Sequence, residues 1–329
     1  MSSKAVVITT GGTIAMRYDE TKGGAIPAVN GTDLIAAVPG LGDVCPLEVL
    51  DFGNIPSFHM SPDIMLRLAE KVAAALADPG TAGAVITHGT DTLEETAYFL
   101  DLFLAPDKPV CLTGAMRSAS DVSSDGPYNI LCAVRAAASP AMRGHGAVVV
   151  MNGEIHAAEQ VIKMHKCAVQ TFASPNWGPL GYVDSDGLRL NRPPSKKSPL
   201  RSGPPLANVP ILKIYSGMDT ALFDALLALG MDGLILEGYG LGNVPAAIIP
   251  GIEKVLAAGL PVVAASRVPA GRIQGNYAVE GGAGHLASLG VILGGELSSQ
   301  KARLKLMLAL GLTRDRDTLA GYFKEDVRT

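Results

Sequence analysis

The sequence predicts an α/β protein, with a doubly wound, mostly parallel sheet in a larger amino-terminal domain. A linker joins it to a smaller α/β carboxy-terminal domain. Three observations carry this reading. Short apolar runs alternate with helical patterns from Lys4 to Met151, and strands alternating with helices at this spacing form parallel sheets. Between residues 191 and 210 the chain turns to Pro193-Pro194-Ser195-Lys196-Lys197-Ser198-Pro199 and Ser202-Gly203-Pro204-Pro205, a linker composition. Beyond it the alternation resumes. The chain divides on this reading into a domain over 1–190, a linker over 191–210 and a second domain over 211–329.

Taken in order, Lys4 to Thr9 is a strand that runs into Thr10-Gly11-Gly12-Thr13-Ile14-Ala15. The glycine pair lets backbone approach a bound group closely and presents Thr13 just past the strand. Met16 to Ala28 is polar, Gly-rich and aperiodic, a mobile loop and candidate lid over the strand ends. Gly31 to Val38 is helical and stops at Pro39-Gly40. Leu47 to Asp51 is a strand, followed by the loop Phe52 to Met60. Ser61 and Pro62 then open a helix as N-cap and first residue. Ala84 to Ile86 forms a buried strand, and a helix begins at Leu93. There Asp91 or Thr92 supplies the N-cap oxygen, while Glu94 and Glu95 meet the positive end of the helix dipole. A strand at Pro109 to Thr113, a long polar loop from Gly114, a helix over Pro127 to Ala138 and a strand over Ala147 to Met151 follow. After the linker come strands at Ile211 to Tyr215, Gly233 to Glu237 and Pro261 to Ala265, then an amphipathic helix over Gln300 to Leu310.

Composition excludes several classes. Of 329 residues, 48% are hydrophobic and 18% charged, which fits an α/β enzyme with a large core. The formal charge of −4, without a basic cluster, argues against a nucleic-acid partner. No apolar stretch reaches membrane-spanning length, so no membrane role is expected. The amino terminus enters a strand without a secretory h-region. Cys45, Cys111, Cys132 and Cys167 are scattered without a CxxC and read as reduced thiols. A cytoplasmic location follows as the expectation.

The chemistry-bearing stretch is Thr87-His88-Gly89-Thr90-Asp91-Thr92. It puts a hydroxyl and a carboxylate at a strand's carboxyl end above a helix N-terminus, where open α/β sheets hold ligands. The competing reading is that both residues only cap the helix. Lys163 is a surface charge, or it turns inward to deprotonate a threonine. It lies on the exit from the Ala147–Met151 strand and so at the same sheet edge. His88 reads as a structural hydrogen-bonding residue. Gly238-Tyr239-Gly240-Leu241-Gly242 has its third glycine one position early for a dinucleotide fingerprint. Ser298 and Lys301 match an SxxK spacing, but the companion motifs are absent and the pair opens a helix, so it reads as a cap. His156 and His165 are nine residues apart, not a metal-ligand spacing. No metal and no cofactor are expected. Hydroxyls, carboxylates and a lysine must carry the reaction.

Thr10 to Ala15 and Ile86 to Leu100 look like the two signature motifs of the bacterial-type L-asparaginase/glutaminase family. Gly114 to Arg117, Ser124 to Pro127, Trp177 to Tyr182 and Ser266 to Pro269 resemble it in the same order, closer to a cytoplasmic member. The resemblance implies a threonine amidohydrolase acting on a small-molecule amide, as a homodimer or homotetramer with active sites formed between paired subunits. Under it, Thr13 attacks the amide carbon, and Lys163 makes Thr90 or its bound water basic. Asp91 grips a substrate ammonium, Ser57 binds the α-carboxylate, the Thr90 N–H joins an oxyanion hole, and Phe58 and Ala115 line the substrate site. The chain also departs from the family. The lid tyrosine aligns near Gly24, with Tyr18 six residues earlier as the candidate for its catalytic role. Phe58 replaces a glutamine of the secreted branch, and Leu241 an asparagine. The partner subunit's glutamate falls near Ala283, with Glu280 the nearest acid. The expected reaction is L-asparagine to L-aspartate and ammonia. The alternatives are an amidase of the same fold for a different or larger amide, with Phe58 packing on it, and an amide-sensing binding protein. A glutamyl-tRNA amidotransferase subunit shares the motifs, but the acidic charge counts against it.

Overall fold

A computed structural model describes residues 3–27, 31–195 and 198–324. The chain separates into two units, Met1–Pro199 and Leu200–Thr329. Unit 1 begins with β1 (Lys4–Thr9), β2 (Met16–Asp19), β3 (Gly24–Pro27), α1 (Gly31–Ala36) and β4 (Leu47–Asp51). It continues through α2 (Pro62–Ala77), β5 (Thr81–Thr87), α3 (Leu93–Leu104), β6 (Val110–Thr113), α4 (Gly126–Ala138) and β7 (Ala147–Met151). Short strands complete it: β8 (Glu154–Ala157), β9 (Ile162–Lys163), β10 (Phe172–Ala173), β11 (Gly181–Asp184) and β12 (Gly187–Leu190).

The main sheet has eight strands in the order β12-β11-β8-β7-β6-β5-β1-β4. β4, β1, β5, β6 and β7 run parallel, while β8, β11 and β12 add an antiparallel edge. The parallel strands read as unbroken apolar runs because helices cover both faces. On one face Ile130 and Val134 of α4 pack with Val7, Val85 and Val148. The alternate residues Ile8, Ile86 and Leu112 are just as buried, on the face where α2 and α3 run. Register aligns the strand ends: Thr9 pairs with Asp51 on one side and with Thr87 on the other.

Unit 2 contains β13 (Ile211–Lys213), α5 (Ala221–Ala228), β14 (Leu234–Gly238), α6 (Ile249–Ala257) and β15 (Val262–Ser266). It ends with α7 (Ala283–Leu289), β16 (Ile292–Leu293), α8 (Ser299–Leu310) and α9 (Arg316–Phe323). Its four strands are all parallel, in the order β13-β14-β15-β16. Phe223, Leu234, Leu236, Ile252 and Val262 form its core.

Several expectations are corrected. The loop expected from Met16 is the antiparallel hairpin β2–β3; Ala28 lies outside the described residues. No apolar periodicity marked the hairpin because its turn is held by polar atoms. The Asp19 carboxylate accepts the N–H groups of Thr21 and Lys22 at 2.8 and 3.0 Å, and Gly23 takes a φ of 64°. Helix α8 is not amphipathic: Lys301, Leu304, Leu306, Met307 and Leu308 are all buried, because both the sheet and α9 pack against it. Ser298 holds the α8 N-cap position without a side-chain capping bond. All four cysteines are free. Among the described residues no helix is long and apolar enough to cross a membrane.

Candidate active site

At the carboxyl edge of the main sheet, the turns after β1 and β5 are packed backbone to backbone. Gly12, at a φ of 92°, leaves no room for a side chain: a Cβ there would lie 2.4 Å from the Gly89 nitrogen. Gly12 precedes Thr13 and Gly89 precedes Thr90, so this contact brings the two threonine motifs together. Thr13 opens a short 3₁₀ turn, Thr13–Ala15, and is partly exposed. Gly114, at the exit of β6, presses on the same turn, its Cβ position 2.5 Å from the His88 carbonyl oxygen.

The capping reading of Thr90 and Asp91 fails. Thr92 occupies the N-cap of α3 without a side-chain capping bond, and its hydroxyl donates to the Ser57 carbonyl at 2.8 Å. Thr90 and Asp91 instead meet Lys163, whose Nζ donates to Thr90 Oγ1 at 2.9 Å and to Asp91 Oδ1 at 2.7 Å. Lys163 is therefore the inward lysine, its side chain only 17% exposed. The route differs from the one expected. After β7 the chain doubles back as β8, and the Ala158 N–H reaches the Ala147 carbonyl at the amino edge. Residues 158–163 must then cross the sheet to the carboxyl edge, where Lys163 meets Thr90.

Ser57 sits in a 3₁₀ turn, Ser57–His59, and is buried against the same loop. Its Oγ accepts the Asp91 N–H at 3.2 Å. His88 is structural. Its Nδ1 donates to the Gly89 carbonyl at 2.7 Å, and its Nε2 accepts from the Thr96 hydroxyl at 3.0 Å. The carbonyl acceptor fixes this tautomer. Complete burial pushes the imidazole down to about 4, despite the opposing bond to Gly89, so it is neutral at pH 7.

The other expected site residues differ in placement. The Ala115 methyl is buried in the core cluster, which leaves only its backbone for any ligand. Phe58 is 66% exposed and packs its ring on His59. Tyr18 lies on β2, but its side chain falls outside the described residues. Leu241, Glu280 and Ala283 belong to unit 2.

Sequence reasoning missed two anchoring carboxylates. Glu94, buried in the first turn of α3, accepts the backbone N–H of Lys163 at 2.6 Å. Asp125 accepts the N–H groups of Met116 and Arg117 and the Asn129 amide, which shapes the loop after β6. The available signal was acids in segments that otherwise turn inward, a pattern that demands partners.

Fold and strand-edge cluster define a two-domain α/β protein with a hydroxyl–lysine–carboxylate site at the carboxyl edge of its larger sheet. The asparaginase amino-terminal domain matches over residues 4–196, and the glutaminase/asparaginase carboxy-terminal domain over residues 208–323. A probable periplasmic L-asparaginase of Haemophilus influenzae is 38% identical, the alignment covering 97% of this chain and 92% of that one. L-asparaginase 2 of Escherichia coli is 36% identical over the same shares. The crystal structure of a probable cytoplasmic L-asparaginase from Campylobacter jejuni superposes with a TM-score of 0.88 at 36% identity, covering 98% of this chain and 99% of that one. The chain belongs to the asparaginase family.

Proposed function

We propose that this protein hydrolyses L-asparagine to L-aspartate and ammonia, through an acyl-enzyme formed on Thr13. The carrying observation is the bonding of Lys163 to both Thr90 and Asp91, on a turn packed against the glycine that precedes Thr13. A threonine hydroxyl is a weak nucleophile alone and needs a base and a positioned carbonyl. Thr13 Oγ attacks the side-chain amide carbon, and the amide nitrogen leaves as ammonia after taking a proton. Water then cleaves the Thr13 ester to release aspartate. Thr90, with Lys163 behind it, moves the protons. The Thr90 N–H stabilises the oxyanion, a contribution of about 3 kcal/mol for one such donor. Asp91 takes the substrate ammonium and Ser57 the α-carboxylate.

A second reading, an amidase for a different or larger amide, is favoured by Phe58, which exposes an apolar ring beside Ser57. A sensor that binds amides without turnover is the third. Ammonia release from L-asparagine, D-asparagine, L-glutamine and peptide-linked amides separates them, with Thr13→Ala and Thr90→Ala as blanks. Efficient turnover of L-asparagine supports the first reading. Turnover confined to other amides supports the second. Binding without any turnover in wild type supports the sensor.

We read the assembly as a homodimer or homotetramer, consistent with the exposed rings of Tyr128 and Tyr182; light scattering on the purified protein tests it. The four free thiols suit a reducing compartment, and we place the protein in the cytoplasm. Cell fractionation would contradict this by finding it in the periplasm.

A further inference from the structure

We infer that Glu94 is a positioning residue that holds Lys163 in register with Thr90, by accepting the Lys163 backbone N–H. This deepens, and rests on, the reading of Lys163 as the group behind Thr90.

Lys163 lies at the end of a strand of only two residues, β9. Among the described residues its strand partner is β10, also two residues long, and the ribbon they form belongs to neither larger sheet. A two-stranded ribbon of this size is a weak anchor on its own. Side-chain tethers fasten it to the rest of unit 1. On the far arm, Gln170 donates to Glu154 of β8 at 2.7 Å. On the near arm, Glu94 Oε2 takes the Lys163 N–H at 2.6 Å. The near tether acts on the catalytic candidate itself.

Its position on the chain gives it a second property. Glu94 stands four residues after Thr90 and three after Asp91, on the α3 turn that directly follows them. The segment that carries the Thr90 hydroxyl thus also carries the acceptor for Lys163's main chain. Lys163 is gripped at both ends by one stretch, through its N–H by Glu94 and through its Nζ by Thr90 and Asp91. A tilt of α3 or a drift of the ribbon moves lysine and threonine together. Glu94 is 4% exposed, and a carboxyl group is seldom buried that deeply without bonded partners.

The test compares Glu94→Ala, Glu94→Asp and Glu94→Gln. Gln keeps the length and an acceptor oxygen but no charge. Asp keeps the charge and withdraws the oxygen by one methylene. Two readouts are needed: kcat and KM for L-asparagine, and hydrogen–deuterium exchange of the peptide spanning 161–164. A misplaced catalytic group costs on the order of a hundredfold in rate. Glu94→Ala is therefore expected to lower kcat about a hundredfold, with KM within about threefold, and to speed exchange at 161–164. Glu94→Asp is expected to lose about tenfold in kcat at unchanged melting temperature, and Glu94→Gln to recover most of kcat. If Glu94→Ala does not fold, the contrast of Asp with Gln decides alone. Unchanged exchange in the Ala or Asp variant overturns the inference, as does full kcat in either or a Gln variant as poor as Asp. A wild-type protein that releases no ammonia from any amide would instead sink the asparaginase reading, and the exchange result would still decide the tether.

Discussion

The two units offer the same address in two states. Each has a parallel sheet, and at each carboxyl edge a lysine, a carboxylate and a hydroxyl meet. In unit 1 these are Lys163, Asp91 and Thr90; in unit 2, Lys213, Glu237 and Ser299. The wiring differs. Lys163 donates to the hydroxyl as well as to the carboxylate, so it can exchange a proton with Thr90. In unit 2 the carboxylate takes both donors, so lysine and serine are linked through Glu237. Burial opposes ionisation of Glu237, yet bonds from Lys213 and Ser299 outweigh it and leave the carboxyl below its usual value. Access differs as well. In unit 2 the turn after β14 folds back on the strand end, with the Asn243 carbonyl oxygen 2.7 Å from where a Gly238 Cβ would stand. Topology supplies the place, while hydrogen-bond direction and the packing of the turn decide what chemistry it can do.

Substituting the two lysines gives the largest expected contrast. Proton transfer by a placed side chain contributes about 10²–10⁴-fold, so Lys163→Met is expected to lower kcat about a thousandfold. Lys213→Met, on a side chain 70% exposed, is expected to leave kcat within about twofold and stability within about 1 kcal/mol. Comparable losses in both would break the contrast; steady-state ammonia release measures it. Glycines in the two turns differ next. Gly12→Ala sets a Cβ against the Gly89 backbone at positive φ, a loss of about 2–4 kcal/mol in urea unfolding. Gly240→Ala, with nothing within 4 Å of its Cβ position, is expected to cost about 1–2 kcal/mol from backbone conformation alone.

Beneath the first cluster, His88 adds a pH dependence. Its folded pKa, about 4, lies below the unfolded value, so between pH 6.5 and 4 the unfolded chain binds the proton and the folded one does not. Its contribution is intact above pH 6.5 and falls with decreasing pH through that window, by roughly 2–3 kcal/mol. Urea midpoints of wild type and His88→Gln at pH 7 and 4.5 test this, the variant losing less on acidification. The smallest effect concerns Phe58. Phe58→Gln, restoring a polar group beside Ser57, is expected to lower KM for L-asparagine about tenfold, the worth of one hydrogen bond to a charged group. A rise in KM would favour a substrate that packs on the ring.

Legibility followed the same physics. β1, β4 and β7 were readable to the residue because each is a strand whose neighbours fix its ends in one short stretch of sequence. The antiparallel edge of β8, β11 and β12 was not, since Gly153, Gly181 and Gly187 break it into pieces of four residues. Thr90, Asp91 and Lys163 were legible as candidates by type and position. That Lys163 Nζ bonds Thr90 was not, because the partners are 73 residues apart and the chain between them reverses at β8. Glu94 looked like an ordinary acid at a helix N-terminus; only the folded ribbon gives it a partner.

The most direct test is to quench the wild-type protein in acid during turnover of L-asparagine and locate the covalent adduct by peptide mass spectrometry. The account predicts an aspartyl ester on the peptide that contains Thr13, absent in Thr13→Ala. An ester on the Thr90 peptide instead would contradict it, reversing the roles of the two threonines that Gly12 and Gly89 bring together.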